Sequence, residues 1–518
     1  MRIKEIFFNI SFLLQKRINN FIIIVIIINK LVKKMSYIIK GKTSDWEVVI
    51  GLEVHCQLKT KSKLFSRSST EFGKPQNSNV SFYDCAMPGQ LPVLNEFSVK
   101  QAIKTGLGLN AEFNMVSQFD RKNYFYADLP SGYQITQFFK PIIKNGWLEI
   151  KLEDGTTKKI RIHEAHLEQD AGKLLHDQHP LFSFVDLNRS GQTLLEIVSE
   201  PDMRSPEEAM AYLRELRALV RALDTCDGNM DEGSMRCDTN VSVMKVGSKE
   251  FGTRAEVKNV NSIKNVGEAI AYEAQRQVEL LEDGGVVEQE TRKFNAMTGT
   301  TSTMRSKEDA IDYRYFPDPD LCPLVITDEI IEEIRKTMPE LPEHKRQRYI
   351  QDLGLSEYDA GVVTANTAIS EFFEKLITKH SVKLSLTWLT SELFGRLNKQ
   401  SLTLEESPVN VDMLSELISL IEDNTISGKI AKEVLDIMME TGKTAKDIVE
   451  EKGLKQNTNT DEIEKLADEI IANNQKQVEQ YKSGNERIFG FFVGQIMKAT
   501  GGKINPQMAN EILKKKLN

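Results

Sequence analysis

Glu53 and His55 stand two residues apart in an apolar stretch, WEVVIGLEVHCQLKTKSKLF, that runs from Trp46 to Phe65. In a β-strand, residues two apart project from the same face, so these two polar side chains project together, away from Leu52 and Val54. The apolar face is typical of a core strand. The other face offers a carboxylate and an imidazole, which bind cations, although a solvated sheet surface has the same alternation.

A second polar strand face is predicted in RIHEAHLEQDAGK. Four polar residues of this segment share one parity of a strand that ends in an Ala-Gly turn: Glu164, His166, Glu168 and Asp170. A solvated acidic strand is the alternative interpretation. The segment therefore either presents a second cation-binding strand face, like that of Glu53 and His55, or is an acidic strand face exposed to solvent.

Glu196 lies inside the apolar run Leu194 to Val198. A lone ionised carboxylate buried there costs on the order of several kcal/mol unless a cation or a metal ion pairs with it. Glu53, His55, Glu168 and Glu196 together supply the oxygen-rich ligands that Mg²⁺ accepts, and they lack the thiolates of a zinc site. Spacing alone leaves open whether the three segments that carry these residues converge.

The segment QFDRKNYFYADLPSGYQITQF, Gln118 to Phe138, concentrates basic and aromatic residues, among them Arg121, Lys122, Tyr124 and Tyr126. Cations pair with phosphates and aromatic rings stack on bases, so the segment suits a nucleotide or the end of an RNA. A β-hairpin with aromatic packing explains the same residues.

The composition is that of an ordinary globular protein with two to four domains: 518 residues, 40% hydrophobic and 27% charged. A formal net charge of −8 gives no overall nucleic-acid signature, so RNA contacts would come from local basic patches. Five scattered cysteines indicate a reducing compartment. The sequence has no G-x-S-x-G elbow and no H-E-x-x-H motif, and its two GKT tripeptides lack the first glycine of a P-loop.

Residues 1–34 differ from the rest of the chain. They are rich in Ile, Asn and Lys, and their apolar run from Phe21 to Ile28 is shorter than a membrane span. We interpret them as translated upstream sequence before a start at Met35; a targeting segment and weak membrane association are the alternatives. They carry seven basic residues and one acidic residue, so the remaining residues have a net charge of −14.

The pattern from residue 35 to about residue 330 predicts an α+β domain. Period-two runs predict strands at Val48 to Leu58, Trp147 to Leu152, Lys159 to Gln169, Leu194 to Ser199, Ser234 to Val243 and Arg254 to Asn259. Helices are predicted at Val99 to Gly106, after an N-cap at Ser205, and in a segment ending at Gly284. Successive amphipathic helices then predict an all-α domain over residues 331–455 and a small all-α tail over residues 456–518.

These segments, in this order, resemble the B subunits of the aspartyl/glutamyl-tRNA(Asn/Gln) amidotransferases. The resemblance is carried by VIGLEVHCQLKTKSKLF, AMPGQLPVLN, FDRKNYFYADLPSGYQITQF, HLEQDAGK, DLNRSGQTLLEIVSEPDMRSPEEA, GSMRCDTNVS, TRAEVKNVNS, DYRYFPDPDL and GFFVGQIMKATGGKINPQ. It covers about Trp46 to Gln507, and the combination of blocks is highly specific.

The resemblance implies a cytoplasmic ligase component that works with the amidase (A) subunit and the small (C) subunit of the amidotransferase, with no membrane partner. ATP and Mg²⁺ would serve to phosphorylate Glu on misacylated tRNA(Gln), or Asp on tRNA(Asn), before ammonia displaces the phosphate. It also implies a large mixed-sheet cradle domain related to glutamine synthetase, followed by the helical domain and a tail that contacts tRNA.

The resemblance assigns the metal ligands to Glu53, His55, Glu168 and Glu196. It makes Arg121, Lys122, Tyr124 and Tyr126 candidates for the nucleotide or the tRNA acceptor end, and Arg236 and Lys258 candidates for phosphate. Gln169 stands where the family usually has a second acidic residue. Some members have a four-cysteine zinc site between Phe65 and Pro88, where this chain has Cys85 alone, so no zinc is expected.

Basic residues of the tail could meet the tRNA backbone, although a solvated helix end is the commoner role of such a run. They are Lys498, Lys503, Lys514, Lys515 and Lys516. Two other functions remain open at this point: a tRNA-binding scaffold whose partner does all the chemistry, and a stand-alone metal-dependent hydrolase.

Overall fold

The computed structural model describes residues 37–305, 312–455, 460–483, 485, 488–500 and 506–517. The predicted extension 1–34 and Lys503 lie outside these residues. Internal contacts divide the chain into two units, one up to Leu341 and one from Pro342. The domain bounds at residues 330 and 455 remain predictions.

The first unit is built around strands. They are β1 (Ile38–Lys40), β2 (Asp45–Gln57), β3 (Glu112–Phe113), β4 (Val116–Ser117), β5 (Asp120–Asn123), β6 (Tyr133–Thr136), β7 (Ile143–Lys151), β8 (Thr157–Gln169), β9 (Lys173–Leu175), β10 (Phe184–Asp186), β11 (Thr193–Ser199), β12 (Met235–Lys245), β13 (Ala255–Val260), β14 (Thr291–Asn295), β15 (Thr300–Arg305), β16 (Phe316–Pro317) and β17 (Leu324–Val325). Its helices are α1 (Glu96–Gly108), α2 (Pro206–Ala222), α3 (Ile263–Glu282) and α4 (Asp328–Arg335).

Ten strands of the described residues form one large sheet. Its order is β15-β14-β13-β12-β2-β11-β8-β7-β3, and β1 also pairs with β2. The pair β13 and β14 is parallel, whereas the pairs around β2 are antiparallel, so the sheet is mixed. The predicted large mixed sheet is confirmed, and β2, β11 and β12 lie side by side at its centre.

The apolar face of β2 lies in the main core. Leu52 and Val54 have no exposed surface and share one apolar cluster with Leu213 of α2 and Ile270 of α3. Burying each such side chain contributes about 1.5–3 kcal/mol. On the other face of the strand, Glu53 and His55 are half-buried, so the predicted alternation is confirmed.

Serine side chains begin the two long helices that cover the core. As predicted, Ser205 caps α2: its hydroxyl accepts a hydrogen bond from the backbone N–H of Glu208, and Pro206 occupies the first turn. Ser262 caps α3 in the same way, by accepting from a backbone N–H three residues later. Gly284 follows α3 with a φ of +82°, which favours glycine.

The second unit is helical. Its elements are α5 (Pro342–Leu353), α6 (Glu357–Val363), α7 (Thr367–Ile377), α8 (Val382–Leu386), a π-helix (Thr387–Leu393), α9 (Phe394–Gln400), α10 (Val411–Glu422), α11 (Gly428–Thr441), α12 (Ala445–Glu451), α13 (Thr460–Asn473), α14 (Gln475–Lys482), α15 (Phe489–Ala499) and α16 (Pro506–Leu517). One apolar core surrounds Phe373 and Leu417, and another surrounds Phe492 and Leu513. In the described part of the chain, no helix is both long and apolar enough to cross a membrane.

Candidate active site

Three neighbouring strands position the polar face at the centre of the sheet. The register places His55 of β2 opposite Glu196 of β11 on one side and Arg236 of β12 on the other. Glu53 faces Val198 and Asp238 in the same two strands. Residues that are far apart in sequence therefore lie in one row because the strands are antiparallel and in register.

An irregularity in β8 brings a fourth strand into this row. Ile160 and Ile162 of β8 are buried, and further along the strand the buried apolar positions are Ala165 and Leu167, which have the opposite parity. The pairing with β11 shifts register at this point, between Val198 and Ser199. Such bulges re-aim side chains, and here the shift turns the polar side chains that follow it toward His55 and Glu196.

His55, Glu168 and Glu196 form a compact cluster. Nε2 of His55 lies 3.4 Å from Oε2 of Glu196 and 3.7 Å from Oε1 of Glu168. One potential ligand atom from each of the three residues lies within 4.8 Å of the others. The structure thus brings together three of the four predicted ligands, which come from three different strands.

The electrostatics of the cluster are those of tightly packed opposite charges. Burial lowers the pKa of His55, but Glu196 and then Glu168 outweigh burial and raise it to about 9. Burial raises the pKa of Glu196, but His166 and His55 outweigh it and hold that pKa well below its usual range. Burial, and then the negative charge of Glu196, raise the pKa of Glu168. The His55 imidazole is consequently protonated at neutral pH when no other cation is bound.

His166 is a site residue that the predicted ligand set did not include, although the sequence motif contains it. Its Nε2 lies 3.2 Å from Oε2 of Glu196, and its Nδ1 lies 3.5 Å from Oε1 of Glu164. Burial lowers its pKa, and the carboxylates of Glu196 and Glu164 then raise the pKa of His166 to about 10. His166 therefore holds Glu196 in place from the side away from β2. The sequence did contain an indication of this role, because His166 is two residues from Glu168 and so projects from the same face of the predicted strand.

Glu53 belongs to an adjacent cluster with Asp238 and Glu256. Carboxylate oxygens of these three residues lie within 4.8 Å of one another, and Nδ2 of Asn240 donates to Oε1 of Glu53 at 2.8 Å. The ammonium of Lys258 lies 2.5 Å from Oδ2 of Asp238 and 2.7 Å from Oε1 of Glu256. Lys258, which was predicted to bind phosphate, thus pairs with two of the three carboxylates of this second cluster.

Arg236 lies between the metal-ligand candidates and Asp170. Its Nη2 donates to Oδ2 of Asp170 at 2.8 Å, and Nε of Arg189 approaches the same oxygen at 3.5 Å. The buried Nε of Arg236 has no hydrogen-bond partner among the described residues. Arg236 therefore has one buried N–H donor, beside His55 in the neighbouring strand, that no described residue accepts.

In the basic and aromatic segment, Gln118 to Phe138, the charge of Arg121 is paired with described carboxylates and that of Lys122 is not. Arg121 donates from Nε to Asp318 and from Nη2 to Asp320, both at 2.7 Å, and its guanidinium stacks on Tyr133. Lys122 lies 4.9 Å from the ring centroid of Tyr313, and no carboxylate of the described chain forms an ion pair with it. Arg121 thus anchors the segment, whereas the Lys122 ammonium keeps its charge available.

Aromatic rings continue from Lys122 toward the surface. The ring of Tyr124 meets those of Tyr126 and Tyr313 edge to face, both at 5.9 Å. Tyr126 is 55% exposed. The negative charge of Glu168 is among the groups that raise the pKa of Tyr124, after burial, so this aromatic group borders the Glu168 side of the cluster.

Comparison with known proteins identifies the family. Residues 48–332 match the family model described as the GatB/GatE catalytic domain, and residues 371–517 match the one described as the GatB domain. The aspartyl/glutamyl-tRNA(Asn/Gln) amidotransferase B subunit of Rickettsia felis is 56% identical over 483 residues, which is 93% of this chain and all of the relative. The chain belongs to the family of aspartyl/glutamyl-tRNA(Asn/Gln) amidotransferase B subunits.

A second genus gives the same result. The B subunit of Acidiphilium cryptum is also 56% identical over 483 residues, covering 93% of this chain and 99% of the relative. The B subunit of Rickettsia bellii is 55% identical over the same length. The resemblance that the sequence motifs indicated is confirmed, together with its class, a component of a tRNA-dependent amidotransferase.

Proposed function

We propose that this chain uses ATP to phosphorylate the side-chain carboxylate of Glu on tRNA(Gln) or of Asp on tRNA(Asn). A carboxylate oxygen bonds to the γ-phosphorus while the bridging P–O bond breaks and ADP leaves. Ammonia, released from glutamine by the amidase (A) subunit, then forms the C–N bond as phosphate leaves. The small (C) subunit completes the heterotrimer. The reducing environment indicated by five free cysteines supports the cytoplasm as the location.

The clustering of His55, Glu168 and Glu196 carries this proposal. Two carboxylates and one imidazole with ligand atoms within 4.8 Å of one another form a hard, oxygen-rich donor set that fits Mg²⁺. Mg²⁺ bound there would neutralise the charge of the transferring phosphoryl group. His55 must lose its proton before it can act as a ligand, whereas His166 remains outside the donor set and orients Glu196.

Cations around the cluster suit the other parts of the substrates. Arg236 and Lys258 lie on β12 and β13 beside the ligand candidates, where each can meet phosphate oxygens. We assign Lys122, Tyr124 and Tyr126 to the acceptor end of the tRNA, since rings and a free ammonium suit unstacked bases and their phosphates. Arg121 positions this segment. In the tail, Lys498, Lys514 and Lys515 remain candidates for the tRNA backbone, while Lys516 pairs with Asp468 at 2.6 Å.

Substitutions in the cluster test the proposal in the assembled amidotransferase complex. We expect Glu196→Gln and His55→Ala in the cluster, and Glu53→Ala in the adjacent one, to lower ATP-dependent amidation of Glu-tRNA by about 100-fold or more, because charge stabilisation at the phosphoryl group is lost. Glu149→Gln, at an exposed position of β7, is the matched control. Glutaminase activity and tRNA affinity should persist.

The same measurements separate the alternatives. Amidation at the normal rate in Glu196→Gln and His55→Ala would favour a tRNA-binding scaffold without catalytic carboxylates. Activity of the isolated chain, without the A and C subunits, would favour a stand-alone hydrolase.

A further inference from the structure

Two aromatic rings stack on each other beside the candidate active site. The ring centroid of Phe138 lies 3.9 Å from that of Tyr315, and the two ring planes differ by 8°. We infer that this pair, the Phe138–Tyr315 platform, stacks on the 3′-terminal base of the tRNA while the attached amino acid reacts at the His55 cluster. The inference rests on the proposed function and adds residues that would hold the end of the tRNA.

Hydrogen bonds on both sides of Phe138 fix its backbone beside β8. Oε1 of the buried Gln137 accepts from the backbone N–H of Leu167 at 2.9 Å, and Leu167 directly precedes Glu168. On the other side, the backbone N–H of the residue after Phe138 donates to Oδ2 of the buried Asp120 at 2.9 Å. The ring of Phe138 is therefore carried by a backbone that is held next to the strand supplying Glu168.

Tyr315 projects from a strained turn. The residue before it, Arg314, has a φ of +46°, a left-handed conformation that residues other than glycine keep only where the surrounding structure imposes it. Asn123 of β5 imposes it here, because its Nδ2 donates to the carbonyl oxygens of Tyr313 at 3.1 Å and of Arg314 at 2.9 Å. Such strain is concentrated at sites that must present a side chain in one fixed position.

Tyr315 also places the platform close to the reacting groups. Burial and then the neighbouring Tyr313 raise the pKa of Tyr315, and the carboxylates of Glu168 and Glu196 add to this rise. Because interactions between charges weaken with distance, the Tyr315 hydroxyl lies near both carboxylates. The amino acid is esterified to the terminal ribose of the tRNA, so a terminal base held on the platform keeps that amino acid close to the cluster.

The platform is open to a ligand. Tyr315 covers one face of the Phe138 ring, yet Phe138 is 51% exposed and Phe139 beside it is 54% exposed. Proteins bind single-stranded RNA ends by stacking unpaired bases on such rings. The ring of Tyr313 lies 6.0 Å from that of Tyr315, and the ammonium of Lys122 lies 4.9 Å from the Tyr313 centroid, which provides a cation for the adjacent phosphate.

Adenine is present in ATP as well as at the end of tRNA, so stacking chemistry by itself fits both. The cations suited to the triphosphate, Arg236 and Lys258, lie on β12 and β13. The platform instead adjoins β8, and β2 and β11 separate β8 from β12. The observations therefore favour the tRNA as the source of the base.

Binding of two tRNAs to the assembled complex tests this assignment, one tRNA intact and one lacking the 3′-terminal adenosine. The wild-type complex should bind the shortened tRNA about tenfold more weakly, since the stacking of one base is lost. In Phe138→Ala, and in Phe138→Leu, which keeps an apolar side chain without a ring, intact tRNA should bind about tenfold more weakly. The two tRNAs should then differ by about twofold or less.

Phe97→Ala is the matched control, because Phe97 of α1 is 52% exposed and so resembles Phe138 in exposure. This variant should distinguish the two tRNAs as the wild type does. The Kd of the non-hydrolysable analogue AMPPNP with Mg²⁺ should be unchanged in all three variants. If Phe138→Ala does not fold, Phe138→Leu decides alone.

The inference is overturned if the wild-type complex does not distinguish the two tRNAs, or if the folded Phe138 variants still distinguish them as the wild type does. Weaker AMPPNP binding in these variants would also overturn it, because the platform would then hold the base of ATP. None of these results affects the proposed function, which fails instead if Glu196→Gln retains amidation. The two failures are therefore distinguishable.

Discussion

The ammonium of Lys63 lies 3.4 Å from Oδ2 of Asp84, and both side chains are fully buried. Removing one partner of such a pair leaves an uncompensated charge, so we expect Asp84→Asn to lower the free energy of unfolding by about 3–5 kcal/mol in urea titrations. Glu71→Gln, which removes the exposed partner of Lys74, is the control and should change stability by about 0.5 kcal/mol or less.

The stability deficit of Asp84→Asn should also depend on pH. Burial lowers the pKa of Lys63 although Asp84 opposes this effect. Without Asp84, the folded state favours the neutral amine while the unfolded state keeps the proton, so stability rises with pH. The deficit should therefore shrink as pH approaches about 10, the range in which unfolded lysine titrates. A deficit that is constant from pH 7 to pH 10 would contradict a charged Lys63.

Local patterns predicted the strands and long helices because each has one apolar face. The alternation in β2 and the Ser205 cap depend on neighbouring residues, so the sequence contains the information. The parity change in β8 depends on pairing with β7 and β11, and alternation alone would have given Ile162 and Glu164 the same face. The same long-range pairing determines that His166 completes the site.

The residue types of the candidate site could be predicted from the sequence, but which of these residues lie in the same cluster could not. Glu53 and His55 share a face, yet Glu53 joins Asp238 and Glu256 because β12 and β13 approach it from the far side of β2. The sequence around Arg121 contains no evident partner for its charge, because Asp318 and Asp320, with which it pairs, lie almost two hundred residues away. Such partners cannot be inferred from spacing along the chain.

Glu53 costs the folded protein stability. Burial, and then the charge of Glu196, raise the pKa of Glu53. At pH above the ordinary pKa of a glutamate, the ionised side chain is therefore less favourable in the folded state than in the unfolded state. We expect Glu53→Gln to raise Tm by about 2 °C at pH 7.5 without added metal, since the amide still accepts from Asn240. The gain should disappear as pH falls toward the ordinary carboxylate range. A lower Tm at pH 7.5 would show that Glu53 is stabilising.

Lys258 offsets part of the negative charge of the second carboxylate cluster. Its ammonium contacts Asp238 and Glu256, so a divalent ion that binds among Glu53, Asp238 and Glu256 must compete with a tethered cation. We expect Lys258→Met to increase the number of Mn²⁺ ions bound per nucleotide-free chain from one to two, counted by electron paramagnetic resonance. Lys293→Met, an exposed lysine on β14, is the control. An unchanged count in Lys258→Met would mean that these carboxylates hold no ion even when the lysine is absent.

His380, in the connection between α7 and α8, contacts a serine and a glutamate of α10, and these three residue types also form the catalytic triads of some hydrolases. Its Nε2 lies 2.8 Å from Oγ of Ser415 and its Nδ1 lies 2.7 Å from Oε2 of Glu422, both on α10. Ser415 is buried within its helix, where substrate cannot reach its hydroxyl, so we expect a structural role. Ser415→Ala should lower the free energy of unfolding by about 1 kcal/mol and leave amidation unchanged, whereas His380→Ala should cost more because it leaves two groups unpaired. Loss of any esterase activity toward p-nitrophenyl acetate in Ser415→Ala, with stability retained, would contradict the structural role.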